Sequence, residues 1–377
     1  MSYKHLFSRA LAAAPDRLHF AAHSHHLWPD ASFDAQMQAW DDAAAMADLK
    51  WEKVMGPIWQ EAQGHIAREL SLPGPATIAF SSNTHDFLLR IFSATSKRPL
   101  RVLASDGEFH SFRRQMARWV EAGEAELTTA SPDKLASVAE RGGYDLIFAS
   151  QVLFNSGAML EGVERLAALA KPDGPWVVID GYHGFMAVPT DLSGVADKIF
   201  YLAGGYKYAM AGEGACFLHA PPGFAPRPAI TGWYAEFDDL AAAPGQIGYA
   251  PDGRRFLGST FDPSGLYRFN AVQAMLQTEG LTMPVIGQHI AQLQAKFVGG
   301  DALPGLTLLN PPDDGPQARF LAFKGDEAPN IHAALEARGA ITDVRGDVLR
   351  VGFGLYHDAG DVEKLLAVLN DIGLPKI

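Results

Sequence analysis

The fold of this chain is indicated most clearly by the stretch KIFYLAGGYKY at residues 198–208. Its first half is β-branched, aromatic and apolar, and predicts a buried strand. The two glycines that follow predict a tight turn, in which the backbone can approach a ligand closely. Lys207 lies in this turn. Most lysines are exposed surface residues, so the role of Lys207 depends on the sequence around it.

A second stretch, WVVIDGYH at residues 176–183, also reads as a buried strand that ends in polar residues. Asp180 ends the strand and His183 follows it. Asp180 alone could be a turn cap, and His183 alone a core histidine. Together with Lys207 they form the set that pyridoxal 5′-phosphate (PLP) requires. The lysine forms a Schiff base, and the acid keeps the pyridine nitrogen protonated so that the ring accepts electrons.

Short strands alternate with helices between residues 77 and 219, which predicts an α/β fold with a mainly parallel sheet covered on both faces. Ligands bind at the carboxyl ends of such strands. Residues 31–70 are predicted to be mostly helical, and residues 224–262 to form a long ordered loop region. We predict an N-terminal segment (1–45) packed on the small domain, a large PLP-binding domain (46–250) and a small C-terminal α/β domain (251–377).

Composition limits the class of protein. The chain has 377 residues, of which 48% are hydrophobic, enough to bury a large core. Its net charge of −12 argues against a nucleic-acid-binding protein. The single cysteine, Cys216, excludes an intrachain disulfide. The first residues lack the apolar core of a signal peptide, and the apolar runs are too short to span a membrane. We therefore expect a cytoplasmic protein.

Polar residues follow several predicted strands and are candidates for cofactor binding. Asn83 and Thr84 lie between a strand and a helix, where they are either ordinary N-caps or part of a phosphate site. Phe109 follows the next strand, where an aromatic residue is usually part of the core; in a PLP site its place in the order of elements would suit stacking on the cofactor ring. Asn155 lies in the SQVLFNSG segment, residues 150–157, and is either a turn residue or a contact of the cofactor or substrate.

Arg350 lies in an apolar strand, where an unpaired guanidinium is costly. It pairs either with an internal acid or with the carboxylate of an amino-acid substrate, and we favour the substrate. His23 and His25 belong to the run HSHH at residues 23–26. No nearby carboxylate or cysteine pattern completes a metal site there. We predict no metal, and we expect His23 or His25 to line the substrate pocket.

In the order of these motifs the chain resembles fold-type-I PLP enzymes of the class V aminotransferase group, near kynureninase and cysteine desulfurase-like proteins. The resemblance runs through the segments SNTH (82–85), EFHS (108–111), DGYH (180–183), GYKY (205–208), GWY (232–234), RFLGST (255–260) and RVG (350–352). It implies the PLP-dependent transferase fold, with a seven-stranded type of sheet in the large domain.

The resemblance also implies roles for single residues. Asn83, Thr84 and Tyr206 would bind the cofactor phosphate, Phe109 would stack on the ring, and Lys207 would carry the cofactor. Arg350 would hold the substrate α-carboxylate. Trp233 and Thr260 would lie near the phosphate of a neighbouring subunit, which implies a homodimer with shared active sites.

Two departures bear on the activity. Desulfurases of this group carry a nucleophilic cysteine on a late loop, whereas Cys216 lies in a predicted strand. Kynureninases have a histidine shortly after the Gly-Trp motif, where this chain has Tyr234-Ala235-Glu236. The expected function is an aminotransferase-like PLP enzyme acting on an amino acid. A kynureninase-like hydrolase or a β-lyase is the alternative. A non-catalytic PLP- or amino-acid-binding regulator is disfavoured, because no basic tract precedes the PLP-like region.

Overall fold

A computed structural model describes residues 2–239, 245–312, 315 and 317–373. In this part of the chain the α-helices are α1 (Ser8–Ala12), α2 (Asp30–Met46), α3 (Lys50–Lys53), α4 (Trp59–Glu69), α5 (Thr84–Ser93), α6 (His110–Glu121), α7 (Pro132–Ala139), α8 (Val163–Leu169), α9 (Ser264–Thr278), α10 (Met283–Gly299), α11 (Ala328–Glu336) and α12 (Ala359–Ile372). The strands are β1 (Leu18–His19), β2 (Ile78–Ser81), β3 (Leu100–Ser105), β4 (Ala125–Ala130), β5 (Leu146–Ser150), β6 (Trp176–Asp180), β7 (Ile199–Gly204), β8 (Cys216–His219), β9 (Thr307–Leu308), β10 (Phe320–Lys324), β11 (Ala340–Ile341), β12 (Asp343–Arg345) and β13 (Val348–Gly352).

The large sheet has seven strands in the order β2-β8-β7-β6-β5-β3-β4. Strands β3 to β7 pair in parallel, and β8 runs antiparallel to both β7 and β2. Every residue of β2, β5, β7 and β8 is buried, as expected for strands covered on both faces. The predicted α/β fold with a mainly parallel seven-stranded sheet is confirmed.

The turn that carries Lys207 joins β7 to β8. Antiparallel neighbours need no helical crossover, so this connection stays short and remains at the carboxyl end of β7. Its packing requires glycine: a Cβ atom on Gly205 would lie 2.9 Å from the Cβ atoms of both Ala211 and Ala215. The close packing fixes the backbone on which Lys207 is mounted.

A second sheet of four strands, in the order β12-β13-β10-β9, is built from residues 307–352. The N-terminal segment is joined to the same region, because β1 pairs in parallel with β11 and Ala21 bridges to Gly352. The Nδ1 atom of His19 lies 2.6 Å from the hydroxyl oxygen of Tyr356. The predicted domain boundaries near residues 46 and 251 stay predictions.

The sequence did not predict every element correctly. Strand β4 was missed, because four of its six residues are exposed and it pairs only with β3 at the edge of the sheet. The predicted helical region 31–70 is interrupted at Ala47, which has a φ of 47°, and again where Gly56 leaves helical geometry. Residues 224–262 contain two 3-10 helices, Trp233–Asp239 and Gly253–Phe256, between turns.

None of the helices in the described ranges is long and apolar enough to cross a bilayer. The cytoplasmic location stays an expectation.

Eight histidines of the described residues are at most 9% exposed, and four of these eight are His19, His23, His26 and His219. Burial lowers the pKa of His19 and His219 to about 4, and the pKa of His23 and His26 to about 3. These side chains are therefore neutral in the folded protein at pH values where the unfolded chain would protonate them.

We expect the apoprotein to lose stability as the pH falls from about 7 to about 5. Below pH 6.5 the unfolded chain binds more protons at these histidines than the native state does, so the free energy of unfolding falls with pH. Two carboxyls with raised pKa values act in the opposite direction, Glu108 at about 7 and Asp180 at about 6, but the four histidines outnumber them.

Thermal unfolding at pH 7.5, 6.5 and 5.5 measures this effect, and Tm should fall by roughly 5 °C or more over the series. The His219→Asn variant should show a shallower fall, because it lacks one of the four histidines. A Tm that is constant or rises on acidification would contradict the prediction.

Candidate active site

A cavity of about 370 Å³ opens at the carboxyl ends of the parallel strands. Strand β5 contributes Ser150, β6 contributes Asp180 and β7 contributes Leu202. This is the place where ligands bind in sheets of this kind. The cavity wall includes eight of the predicted site residues: Asn83, Thr84, Phe109, Asp180, His183, Tyr206, Lys207 and Arg350.

Lys207 and His183 meet inside this cavity. The Nζ atom of Lys207 lies 2.6 Å from Nε2 of His183. The lysine is partly accessible through the cavity, but burial of its amine, together with the charge of Arg350, lowers the pKa of Lys207 to about 7. Burial also holds the pKa of His183 well below its usual range. Near pH 7 a large fraction of Lys207 is therefore a free amine, the nucleophilic form.

Asp180 lies at the end of β6, where its Oδ1 atom accepts a hydrogen bond of 2.9 Å from the N–H of Tyr182. Burial raises the pKa of Asp180 to about 6, although the charge of Lys207 opposes the shift. The turn behind it has no room for a side chain: a Cβ atom on Gly181 would lie 2.0 Å from the hydroxyl oxygen of Tyr201. The Tyr201 hydroxyl donates a hydrogen bond of 2.8 Å to Oε1 of Gln151, which holds the Tyr201 ring in place against the turn.

The N-terminus of α5 forms another part of the wall. The Oδ1 atom of Asn83 accepts a hydrogen bond of 2.9 Å from the N–H of Asp86, so Asn83 is the N-cap of this ten-residue helix. Thr84 and His85 follow it and line the cavity. The Nδ1 atom of His85 is buried without a hydrogen-bond partner. Helix N-termini favour anions through free N–H groups and the helix dipole, so this wall suits a phosphate.

Phe109 faces Lys207 across the cavity. The lysine Nζ atom lies 6.0 Å from the centre of its ring, and the ring of Phe154 packs edge-on against Phe109 at 5.4 Å. Asn155 is not part of the cavity wall. Its Oδ1 atom is buried without a hydrogen-bond partner, and Phe154 lines the cavity instead. A contact between Asn155 and a cofactor stays a prediction.

Arg350 lines the cavity and also has an internal partner. It donates through Nη2 to Asp343 and through Nη1 to the carbonyl oxygen of Phe154 at 2.5 Å, while its Nε atom is buried without a partner. Burial alone would raise the pKa of Asp343, but His23, Arg350 and Arg345 hold it well below its usual range. The internal ion pair that the sequence left open is therefore present, and Nε keeps one donor for a further anion.

His23 and His25 are not among the residues that line this cavity, whereas Ser24 between them is. A contact of either histidine with a substrate stays a prediction. The His23 ring is turned into the core, where it stacks on Phe320 at 4.9 Å and its Nε2 atom lies 3.7 Å from Asp343. The His25 ring lies 5.3 Å from that of Tyr206, behind the wall. Within the described residues no three metal-binding side chains converge.

Trp233 and Thr260 lie outside this cavity. Thr260 borders a separate cleft with Ser81 and Arg90, and Trp233 is 45% exposed and stacks on Tyr234 at 4.1 Å. The prediction that they serve the site of a neighbouring subunit stays a prediction.

Sequence reasoning assigned no role to Glu108, although it quoted the motif that contains this residue. Glu108 is buried beneath the cavity, where it accepts hydrogen bonds from the hydroxyls of Ser105 (2.5 Å) and Ser150 (2.6 Å) and from the N–H of Ser150 (2.8 Å). It ties the end of β3 to the end of β5. An acid directly before a predicted ring-stacking aromatic was the signal available in the sequence.

Cys216 is buried in β8 with its Sγ atom 3.5 Å from the hydroxyl oxygen of Tyr182. Burial raises the pKa of Cys216 to about 12, so the thiol is protonated and has little nucleophilic character.

Known proteins resemble this chain in one C-terminal segment and in the overall fold. The family model of the kynureninase C-terminal domain matches residues 288–369. No curated protein matches the sequence. Among solved structures, a lysine-to-alanine mutant of C-DES with glycine covalently linked to its PLP cofactor superposes with a TM-score of 0.82 and 18% identity, over 98% of this chain and 100% of that one.

Two further structures share the fold. The cystine C-S lyase C-DES in complex with its product cysteine persulfide has a TM-score of 0.80 and 19% identity, with 96% of this chain and 99% of that chain covered. The cysteine desulfurase CsdA from Escherichia coli has a TM-score of 0.79 and 16% identity, with 98% of this chain and 97% of that chain covered. The resemblance to fold-type-I, class V PLP enzymes near kynureninase and cysteine desulfurase is confirmed at the level of the fold.

We predict that Lys207 is acylated at neutral pH much faster than an exposed lysine such as Lys198. About half of Lys207 is a free amine near pH 7, whereas an ordinary lysine with a pKa near 10.4 is almost entirely charged. Competitive labelling with a trace of acetic anhydride, followed by peptide mass spectrometry across pH 5 to 9, measures the half-point, which is the pH at which labelling of Lys207 is half-maximal.

In the Arg350→Gln variant the half-point should move to higher pH, because a positive charge that lowers the pKa of Lys207 is removed. Identical labelling profiles for Lys207 and Lys198 would disprove the prediction.

Proposed function

We propose that this chain, which has the fold of class V, fold-type-I PLP enzymes, is a PLP-dependent enzyme that acts at the α-carbon of an amino acid. The observation that carries the proposal is the pairing of Lys207 with His183 at 2.6 Å, in a cavity that also contains Asp180. A buried lysine with a pKa near 7 is typical of catalytic amines.

The residues of the cavity fit PLP. The amine of Lys207 could bond to the aldehyde of PLP, and the carboxyl of Asp180 could pair with its ring nitrogen. The ring of Phe109 could stack on the face of the pyridine, and the N-terminus of α5 could bind the phosphate. When bound, PLP would supply an electron-accepting ring that stabilises negative charge at the substrate α-carbon. The rest of the chemistry belongs to the chain's own side chains.

Lys207 would carry the α-proton, because its neutral amine is the strongest base in the cavity. His183 accepts or donates a proton at 2.6 Å from that amine, so the two nitrogens form a relay. Arg350 would orient the substrate through its α-carboxylate. Asp180 would hold a proton at the ring nitrogen, and a cation there would lower the raised pKa of this carboxyl.

Of the reactions open to such a site, we propose β-elimination, in which a group leaves the β-carbon. The Lys207–His183 pair supports it, since the α-proton taken up by Lys207 can be passed, directly or through His183, to the leaving group. The cystine C-S lyase named above has the same fold. Persulfide formation on a cysteine of this chain is not proposed, because Cys216 is buried with a raised pKa.

A kynureninase-like hydrolysis of the Cβ–Cγ bond is the second candidate, favoured by the family match over residues 288–369. Amino transfer, the activity that the sequence resemblance first implied, uses the same lysine and is the third outcome of the test.

We expect purified wild-type protein to bind PLP with a visible absorbance band, and borohydride reduction to attach the cofactor to the peptide that contains Lys207. The Lys207→Ala variant should lose that attachment and at least roughly a thousandfold in turnover. Lys198→Ala is the matched control and should behave as wild type.

A panel of L-amino acids then separates the reactions. β-Elimination releases pyruvate or another 2-keto acid together with ammonia and needs no amino acceptor. Hydrolytic cleavage releases alanine, and amino transfer requires an added keto acid. Absence of PLP binding, or retention of full turnover by Lys207→Ala, would refute the proposed function.

We also propose a homodimer in which Thr260 and Trp233 contact the partner's cofactor. Thr260 lies outside its own cavity, in a cleft beside α5, and a phosphate contact from it would have to be made across an interface. Thr260→Val should weaken PLP affinity roughly tenfold, the effect of one lost hydrogen bond to a charged group.

Mixing Thr260→Val chains with Lys207→Ala chains should restore one tight PLP site per mixed dimer. In that site the Thr260→Val chain supplies an intact Lys207 and the Lys207→Ala chain supplies an intact Thr260. Equilibrium dialysis measures the affinity and light scattering the mass. A monomeric protein, or a mixture without any tight site, would contradict this arrangement.

A further inference from the structure

A small β-hairpin places three charged residues at the cavity. Strands β12 and β13 pair so that Asp343 lies opposite Arg350 and Arg345 opposite Val348. Residues two apart on a strand point to the same face, and cross-strand partners share a face. Arg345, Asp343 and Arg350 therefore occupy one face of the hairpin. Both arginines line the cavity.

The single acid of this face serves both arginines. Asp343 accepts from Nη2 of Arg350, and its Oδ2 atom lies 3.4 Å from Nη2 of Arg345. The side chain of Arg350 is only 4% exposed, whereas that of Arg345 is 44% exposed. Arg350 is thus fixed deep in the site, and Arg345 lies at the mouth with its charge only partly balanced.

A second positive group lies beside this mouth, at the start of α6. Nη2 of Arg113 lies 2.7 Å from Nδ1 of His110, and the His110 ring packs on Phe154 at 5.3 Å. Partial burial and then the charges of Arg113, Arg345 and Arg350 lower the pKa of His110. His110 therefore lies within the field of arginines from both α6 and the hairpin.

The charges can be counted. Arg113, Arg345 and Arg350 contribute three positive charges, and Asp343 contributes one negative charge. Asp343 is shared between Arg345 and Arg350, and the α-carboxylate of an amino acid would pair with Arg350, which leaves Arg345 at the mouth without an acid of its own. A cleft of one sign attracts ligands of the opposite sign.

Resting on the function proposed above, we infer that the substrate carries a second anionic group on its side chain, and that Arg345 holds it while Arg350 holds the α-carboxylate. The group is a carboxylate or an oxidised-sulfur anion, since a guanidinium binds both through parallel hydrogen bonds. Phe154 lines the cavity next to Arg350, the more buried of the two arginines, because its carbonyl oxygen accepts a hydrogen bond from Nη1 of Arg350.

The test compares acids with their amides, using the PLP-loaded enzyme. S-carboxymethyl-L-cysteine and S-carbamoylmethyl-L-cysteine differ only in the charge at the end of the side chain, and both carry sulfur on the β-carbon that can leave as a thiolate. We expect kcat/KM to favour the acid by roughly tenfold or more. Arg345→Gln should lower kcat/KM for that acid by roughly tenfold to a hundredfold, mainly through KM, and leave the amide within about threefold.

Two variants serve as controls. Arg345→Lys keeps the charge without the planar fork and should recover part of the loss. Arg165→Gln removes an equal charge far from the cavity, where Arg165 pairs with Glu140 at 2.8 Å, and should have no effect. An equal loss for acid and amide in Arg345→Gln would overturn the inference, because Arg345 would then only support Asp343.

A binding measurement keeps the inference separate from the reaction. Succinate and butyrate have the same number of carbons and cannot react, and calorimetry with the PLP-loaded enzyme gives their affinities. We expect succinate to bind roughly tenfold more tightly than butyrate in wild type, with the difference lost in Arg345→Gln.

If no amino acid is turned over but this difference is found, the anion site stands and the proposed function fails. If amino acids are turned over with no preference for acids and succinate binds no better than butyrate, the proposed function stands and the inference about Arg345 is wrong.

Discussion

The site depends on the burial of one amine. A lysine that points into solvent keeps its proton at neutral pH, whereas Lys207 lies in a cavity where the charged form is poorly solvated and where Arg350 repels it. The turn between β7 and β8 makes this possible, because its backbone packs so closely at Gly205 that there is no room for a side chain there. Fold and electrostatics are therefore linked at this point: β8 runs back antiparallel to β7, and the connection between the two strands carries the buried amine of Lys207.

The electrostatics of the site follow from the same burial. Desolvation raises the pKa of the carboxyls of Asp180 and Glu108 and lowers that of the amine of Lys207, so all three shift toward their neutral forms. A ligand with charges of its own would reverse part of this shift, since a cation beside Asp180 and an anion beside Arg350 stabilise the ionised forms. The ionisation of these groups therefore depends on the charge of the ligand beside them.

Much of the fold could be predicted from the sequence, because its central strands are continuous apolar runs that end in polar residues. The bounds of β6 were predicted to the residue, and the turn containing Lys207 was assigned from its glycines. Strand β4 could not be predicted in this way: its alternation is weak because it lies at the edge with one partner. The break at Ala47 was also missed, since nothing in its composition marks a positive φ.

The parts of the site that depend on tertiary register were beyond the sequence. The ion pair between Arg350 and Asp343 exists because a hairpin of β12 and β13 sets these two residues opposite each other, and the predicted elements did not include β12. Ser24 rather than His23 lines the cavity, because the His23 ring is buried and stacked on Phe320. The positions of these side chains are decided by packing between segments that are distant in the sequence, and the hydrophobic periodicity of the sequence does not indicate such packing.

The position of Cys216 has a practical consequence for studying this molecule. The only thiol in the chain lies within β8 at 2% exposure, and it stays protonated over the usual working range. Maleimide reagents attack thiolates on the surface, so the wild-type chain is nearly inert toward them. Cysteines introduced by design, for example on the exposed face of α6, can carry fluorophores or spin labels without first removing a native one. Movements of the hairpin relative to the sheet are then open to direct distance measurement.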